Sequence, residues 1–207
     1  VAGLVIATAA LIALVSMFEK GVWLPRFSAL ASFGYAFPGT ILAIGVVTAG
    51  GAVDRGIAEL FDWALGLSYE GWLTSGVGLI IFACVVRFQA VGYGAVLTGL
   101  GRVSPSMMEA SRTLGCGFVE SITRVMLPSI RLPCIAGALL VFVDVMKELP
   151  MSLLLRPFNF ETLATFLYQF AKDELLEEAA LPALAIVATG IIPVVLMNAA
   201  LNRIRER

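Results

Sequence analysis

A chain without a single histidine cannot carry a His-ligated zinc or haem site, a histidine general base or a Ser-His-Asp triad, which excludes most hydrolytic chemistry. The three cysteines, Cys84, Cys116 and Cys134, have no CxxC spacing and lie in or beside apolar runs. Small buried thiols are the expected reading there, not a disulfide or a thiolate metal site. No catalytic residue and no metal site is assigned. The residues with chemical potential are Asp144, Lys147 and Glu148, at the end of one apolar stretch, and Arg87 within another. Spacings of three and four put the first three on one helix face. Asp144 can then pair with Lys147, while Asp144 and Glu148 repel unless Lys147 or a cation lies between them. An ionisable group in a span marks a translocation path by default, and carboxylates suit a hard cation. The alternative is a helix-end ion pair bracing a gate, which the cost of an unpaired membrane charge favours. Arg87 is expected to snorkel where its helix leaves the bilayer, with a functional role as the alternative.

The elements that position these residues are apolar helices. Of 207 residues, 59% are hydrophobic and 14% charged, against about 45–50% and about 25% in a soluble domain. Uncharged runs cover 18 residues from Val1 to Phe18, 27 from Phe27 to Val53, 16 from Gly71 to Val86 and 24 from Ala179 to Asn202. A bilayer span needs about 20 such residues. The expected fold is an all-α polytopic transmembrane bundle of about five spans. These run from Val1 to about Met17, about Phe33 to Gly50, near Trp72 past Arg87 toward Gly101, Leu132 to Val143 continuing through Lys147, and about Leu181 to Leu201. Pro38-Gly39 opens the second, and Pro193 is expected to kink the last. Residues 1–207 read as one membrane domain, and the start at Val1, already inside an apolar run, reads as an incomplete first span.

Charge orients the bundle. The connection Glu19 to Arg26, the stretch Arg87 to Arg131 and the tail after Leu201 hold ten of the fourteen basic residues. The other side keeps Arg55, Lys147, Arg156 and Lys172. By the positive-inside rule the Arg-rich side, including the C-terminus, is cytoplasmic. Trp23, Trp63 and Trp72 lie near span ends, as indoles at a membrane interface do. The net charge of −1, with basic residues neither in excess nor clustered, points to no nucleic-acid partner.

The long cytoplasmic segment has helix signals of its own. Ser104 before Pro105 is a helix start, and Ser106 with Glu109 has capping-box spacing. Gly115 and Gly117 are stop signals, and a second short helix is expected from about Phe118 to Met126, ending before Leu127-Pro128. Two short helices joined at a glycine make a knob whose apolar residues Met107, Met108, Leu114, Phe118 and Val119 fit a partner's groove. The alternative is an interfacial hairpin that only seals the bundle.

Glu109-Ala110-Ser111, three residues, Gly115, nine residues and then Val125-Met126-Leu127-Pro128 resemble the EAA signature of ABC-importer permeases, with every spacing kept. Ser111 replaces the second Ala and Val125 replaces Ile. The stretch Phe37-Pro38-Gly39-Thr40-Ile41-Leu42-Ala43 is similar to a segment that opens a core helix in these permeases. Lys147-Glu148-Leu149-Pro150, Leu153-Leu154-Leu155-Arg156-Pro157-Phe158 and Phe160-Glu161-Thr162-Leu163-Ala164-Thr165 resemble the ferric-iron branch. Members of that branch are usually long permeases with two homologous halves, and this chain resembles the C-terminal half.

The resemblance implies a type I permease subunit of an ATP-driven importer in the bacterial inner membrane. Its coupling segment, carried by Glu109, Ala110, Ser111, Gly115, Val125, Leu127 and Pro128, docks in a cytoplasmic ABC ATPase dimer. Glu109 either pairs with a basic ATPase residue or caps its helix. ATP and Mg belong to that partner, since this chain has no GxxxxGK[ST] phosphate loop and no cofactor of its own. A second permease half, an extracytoplasmic solute-binding protein and membrane lipid complete the implied partners. The acidic stretch Asp173-Glu174-Leu175-Leu176-Glu177-Glu178 either meets the binding protein or is a solvated face. Before it, Phe160, Leu163, Ala164, Leu167, Phe170 and Ala171 have the spacing of an amphipathic helix. Ferric iron is the expected cargo, with thiamine, polyamine, sulfate and phosphonate as alternatives. A secondary transporter would need an ion relay, for which only Asp144 and Arg87 offer side chains; an intramembrane enzyme would need convergent Ser, Asp or Glu residues.

Overall fold

The computed structural model describes residues 1–18, 33–66 and 71–205. The expected Glu19 to Arg26 connection, with Lys20, Trp23 and Arg26, lies outside them, as does Arg207. Among the described residues the chain is helical throughout and forms no strand. The helices are α1 (Ala2–Phe18), α2 (Gly39–Leu65), α3 (Trp72–Ser75), α4 (Gly78–Leu100), α5 (Pro105–Thr113) and α6 (Phe118–Ser121). A π-helical turn (Ile122–Met126) leads into α7 (Leu127–Met146), followed by α8 (Pro150–Leu155), α9 (Leu163–Lys172) and α10 (Leu176–Arg205). Among the described residues, four stretches are long and apolar enough to cross a membrane: Gly39–Ala64, Gly78–Leu100, Phe118–Met146 and Leu176–Val195. The expected first span is a 17-residue helix.

Several boundaries differ from the sequence expectation. The second span begins at Gly39, not Phe33, because Pro38 is extended at the N-cap. It then runs on past Gly50 through Asp54 and Asp62, ending where Gly66 takes the left-handed conformation at φ 60°. The third span begins at Gly78, since Trp72–Ser75 is a separate turn of helix. Leu127-Pro128 ends nothing: the chain is helical without interruption from Phe118 to Met146. Proline inside a helix loses one hydrogen bond and crowds the carbonyl a turn back. The wider π turn immediately before Pro128, closed by Leu127 N–H on the Ile122 carbonyl, makes room for it. α10 likewise runs unbroken through Pro182 and Pro193.

The chain forms two compact units. One comprises residues 2–35 and 88–142, the other residue 1 with 36–87 and 143–207. The core of the first is Ala9, Ala13, Tyr93, Val96, Leu100, Val103, Met126 and Ile130. Glycine lets its helices approach closely. A Cβ on Gly92 of α4 would lie 2.7 Å from Val5 Cγ1 of α1, and one on Gly99 would lie 2.9 Å from Ile130 Cβ of α7. Small residues at helix crossings are how apolar helices pack where water supplies no driving force. Thr8 of α1 donates to Gln89 Oε1 of α4 across 2.9 Å, adding an interhelical polar bond.

In the second unit, α2 packs on α3 and α8, and α9 packs on α10. The buried Asp54 carboxylate of α2 accepts from Thr74 N at 2.8 Å and Thr74 Oγ at 2.7 Å, tying α3 to the preceding helix. The expected amphipathic helix around Leu163 is α9, opened by a reciprocal capping box between Thr162 and Thr165. The acidic stretch punctuates the chain: Asp173 and Glu174 close α9, while Glu177 and Glu178 occupy the first turn of α10, where negative charge opposes the helix dipole favourably.

Candidate functional site

The segment from Ser104 to Pro128 folds as a helix, a glycine turn and a second helix. Ser104 accepts from Met107 N at 3.4 Å and Pro105 takes the first helical position, so α5 starts as expected. The Ser106–Glu109 capping box does not form; the Ser106 hydroxyl bonds that of Ser104 at 2.8 Å instead. Ser104 already caps the helix two residues earlier, and Glu109 is left exposed on the surface.

α5 ends in a Schellman turn. Gly115, at φ 89°, stands in the left-handed region, its N–H bonding the Arg112 carbonyl at 3.0 Å while Cys116 N–H bonds that of Ser111 at 3.0 Å. Residues with a Cβ adopt this conformation at a cost, so glycine is required for an unstrained turn. Ser111 is buried, and its hydroxyl donates to that of Ser121 across 2.7 Å, fastening α5 to α6. Met126 and Ile130 anchor the base in the core. The outer surface is apolar: Met107, Leu114, Phe118 and Val119 are exposed, Leu114 to 84%. Met108, expected there too, turns partly inward against the core. Ala110 is exposed, Val125 is half-buried in the π turn, and Leu127 and Pro128 are exposed at the start of α7. The Glu120–Arg124 pair, 2.8 Å apart and largely exposed, is worth under about 1 kcal/mol.

The charged residues divide differently from the expectation. Asp144 pairs with Lys147 at 2.9 Å, as their spacing suggests. Glu148 does not share their helix face, because α7 ends at Met146. Its carboxylate turns inward, placing Oε2 3.4 Å from Arg87 Nε and Oε1 3.3 Å from Met151 N–H, which donates to it. Ser152 Oγ donates to the Glu148 carbonyl at 2.8 Å. Arg87 Nη1 in turn donates to the Phe37 carbonyl at 3.3 Å.

Arg87, expected to reach toward solvent, is instead paired with Glu148. α4 continues to Leu100 beyond it, and its side chain is 19% exposed against 8% for Glu148. Burial of this charge in an apolar helix requires a partner, and Glu148 supplies it. Sequence reasoning missed this pair and the role of Gly39, where a Cβ would lie 2.5 Å from Arg87 Nη1 and 2.8 Å from Glu148 Oε1. The available signal was the cost itself: an arginine in an apolar run calls for a carboxylate in another.

No curated protein matches the chain. The family described as the binding-protein-dependent transport system inner membrane component matches residues 2–207. With all but the first residue inside that match, the chain belongs to this family of membrane permease components of ABC transporters.

Proposed function

We propose that this chain is the permease subunit of an ATP-driven importer and that the segment from Ser104 to Pro128 docks it onto a cytoplasmic ATPase dimer. The observation that carries the reading is a rigid knob with an unburied apolar surface: Leu114, Phe118 and Val119 project from a turn fastened by Gly115 and the Ser111–Ser121 bond. Apolar anchors on a preorganised helical element suit helix-in-groove recognition, since little ordering entropy remains to oppose binding. Glu109, exposed beside the turn, supplies a charge for a basic ATPase residue. In this reading Glu109, Ala110, Ser111, Gly115, Val125, Leu127 and Pro128 are the coupling residues. The Arg-rich side and the C-terminus are cytoplasmic. ATP and Mg are bound by the partner, and a second permease half and an extracytoplasmic binding protein complete the assembly.

Ferric iron is the proposed cargo, supported by the resemblance of Lys147-Glu148-Leu149-Pro150 and the residues after it to the ferric-iron branch. Asp144, Lys147 and Glu148 then belong to the gate and not to a metal site, because each carboxylate is matched by a basic side chain.

The test is co-purification of the permease with its ATPase, wild type beside Glu109→Lys and Gly115→Pro, scored for complex formation and binding-protein-stimulated ATP hydrolysis. Stimulation lost in variants that still insert supports the docking segment. A folded wild-type permease that binds no ATPase overturns it and moves an ion-driven mechanism forward.

A further inference from the structure

Arg87 and Glu148 occupy a distinctive place along the chain. After the first residue, the chain passes from one compact unit to the other at residues 35/36, 87/88 and 142/143. Beside each of these passages stands a member of a single cluster: Phe37 and Gly39 after the first, Arg87 at the second and Glu148 shortly after the third. Within their own unit these residues tie together the start of α2, the middle of α4 and the turn between α7 and α8.

The chemistry is that of a contact made to be exchanged. A buried ion pair is seldom better for stability than apolar packing of similar volume, because desolvation offsets the attraction. Arg87 Nε lies 3.4 Å from Glu148 Oε2 while Nη1 donates to the Phe37 carbonyl at 3.3 Å, so the guanidinium is shared between the carboxylate and the backbone at the start of α2. Glu148 itself belongs to no helix, lying between the end of α7 at Met146 and the start of α8 at Pro150. The missing side chain at Gly39 leaves the space that the pair fills.

We propose that Arg87 and Glu148 form an electrostatic latch, cradled by Gly39, which holds the turn into α8 against α2 and α4 and opens when the permease changes conformation. The transport cycle in which it opens rests on the permease reading above; the pairing and its control of α8 do not. Arg87 and Gly39 act here as positioning residues for Glu148, with no contact to cargo required.

The test uses the permease in lipid vesicles with its three cysteines replaced by alanine and M151C as a reporter, because Met151 is fully buried in the first turn of α8. Arg87→Gln and Glu148→Gln should each speed maleimide labelling of the reporter by about fivefold or more, as expected when a local opening equilibrium shifts. The double variant should label no faster than either single one, the coupling expected of two residues in one contact. Gly39→Ala, which wedges the pair apart without removing a charge, should act in the same direction. Unchanged labelling in the single variants, or additive effects in the double, overturns the latch. A second arm adds ATPase and binding protein to the reporter permease. Labelling that rises during ATP turnover supports opening in the cycle; turnover with labelling held at its resting rate makes the pair a fixed brace and overturns the latch while the permease reading stands. Absence of any ATPase complex defeats the permease reading, and the labelling arm still decides the pair.

Discussion

The hydroxyl of Ser111 donates to that of Ser121 across 2.7 Å, joining the two helices of the exposed knob through a bond that neither helix needs for its own formation. Both residues are buried, so this contact sets the angle at which Leu114 and Val119 are presented. Replacing Ser111 with alanine leaves the Ser121 hydroxyl buried without this partner, a loss of about 1–2 kcal/mol. The expected outcome for Ser111→Ala is a lower melting temperature in detergent and weaker ATPase binding, with insertion retained, measured by thermal scanning and co-purification.

Gly115 separates backbone strain from surface chemistry. Its φ of 89° makes Gly115→Ala cost about 1–2 kcal/mol, and this should appear as loosened protease protection at the turn. Leu114→Asp alters a side chain exposed to 84% and should leave melting unchanged. As a docking anchor, Leu114 replaced by Asp weakens ATPase binding by about 2 kcal/mol or more, readable as about a thirtyfold or greater rise in Kd. Equal affinity in wild type and Leu114→Asp would remove Leu114 from the interface.

Two helix glycines should respond oppositely to enlargement. A Cβ on Gly137 of α7 would press on Ala95 Cβ of α4, a short side chain that cannot swing aside. Gly137→Val should therefore cost about 1–3 kcal/mol by overpacking, seen as a fall in melting temperature and in yield. A Cβ on Gly190 of α10 would sit 3.6 Å from Val143 Cγ1, in ordinary contact, and Gly190→Ala should be tolerated. Identical melting curves for Gly137→Val and wild type would contradict the close crossing of α4 and α7.

Glu174 offers a stabilising change. It stands at φ 60° in the turn that closes α9, where Leu175 N–H reaches back to the Phe170 carbonyl at 2.9 Å. Glycine is the residue that accepts this conformation freely, so Glu174→Gly should gain about 0.5–1 kcal/mol. Thermal scanning of the purified permease checks the sign, and a decrease would mean that the glutamate side chain earns its place through another contact.

The parts of this protein that follow from its sequence are those governed by local physics or by bulk hydrophobicity. Long uncharged runs imply apolar helices because an unpaired backbone amide in hydrocarbon costs several kcal/mol, roughly. Ser104-Pro105 marks a helix start and Gly115 a turn because capping and φ preference act over a few residues. Asp144 and Lys147 meet because three residues are nearly one turn.

Tertiary structure decided what depends on partners remote in the chain. Arg87 alone looks like a snorkelling residue; only the fold brings Glu148 to it and removes the need to reach water. Gly39 looks like a helix opener, and only packing makes it the cradle of an ion pair. Asp54 extends α2 beyond its apolar run because Thr74 and its backbone satisfy the carboxylate. Leu127-Pro128 reads locally as a stop, yet the π turn before it carries the helix through. In each case the deciding term is a desolvated charge, a close approach or a redistributed backbone bond, set by which helices meet and not by the neighbouring residues.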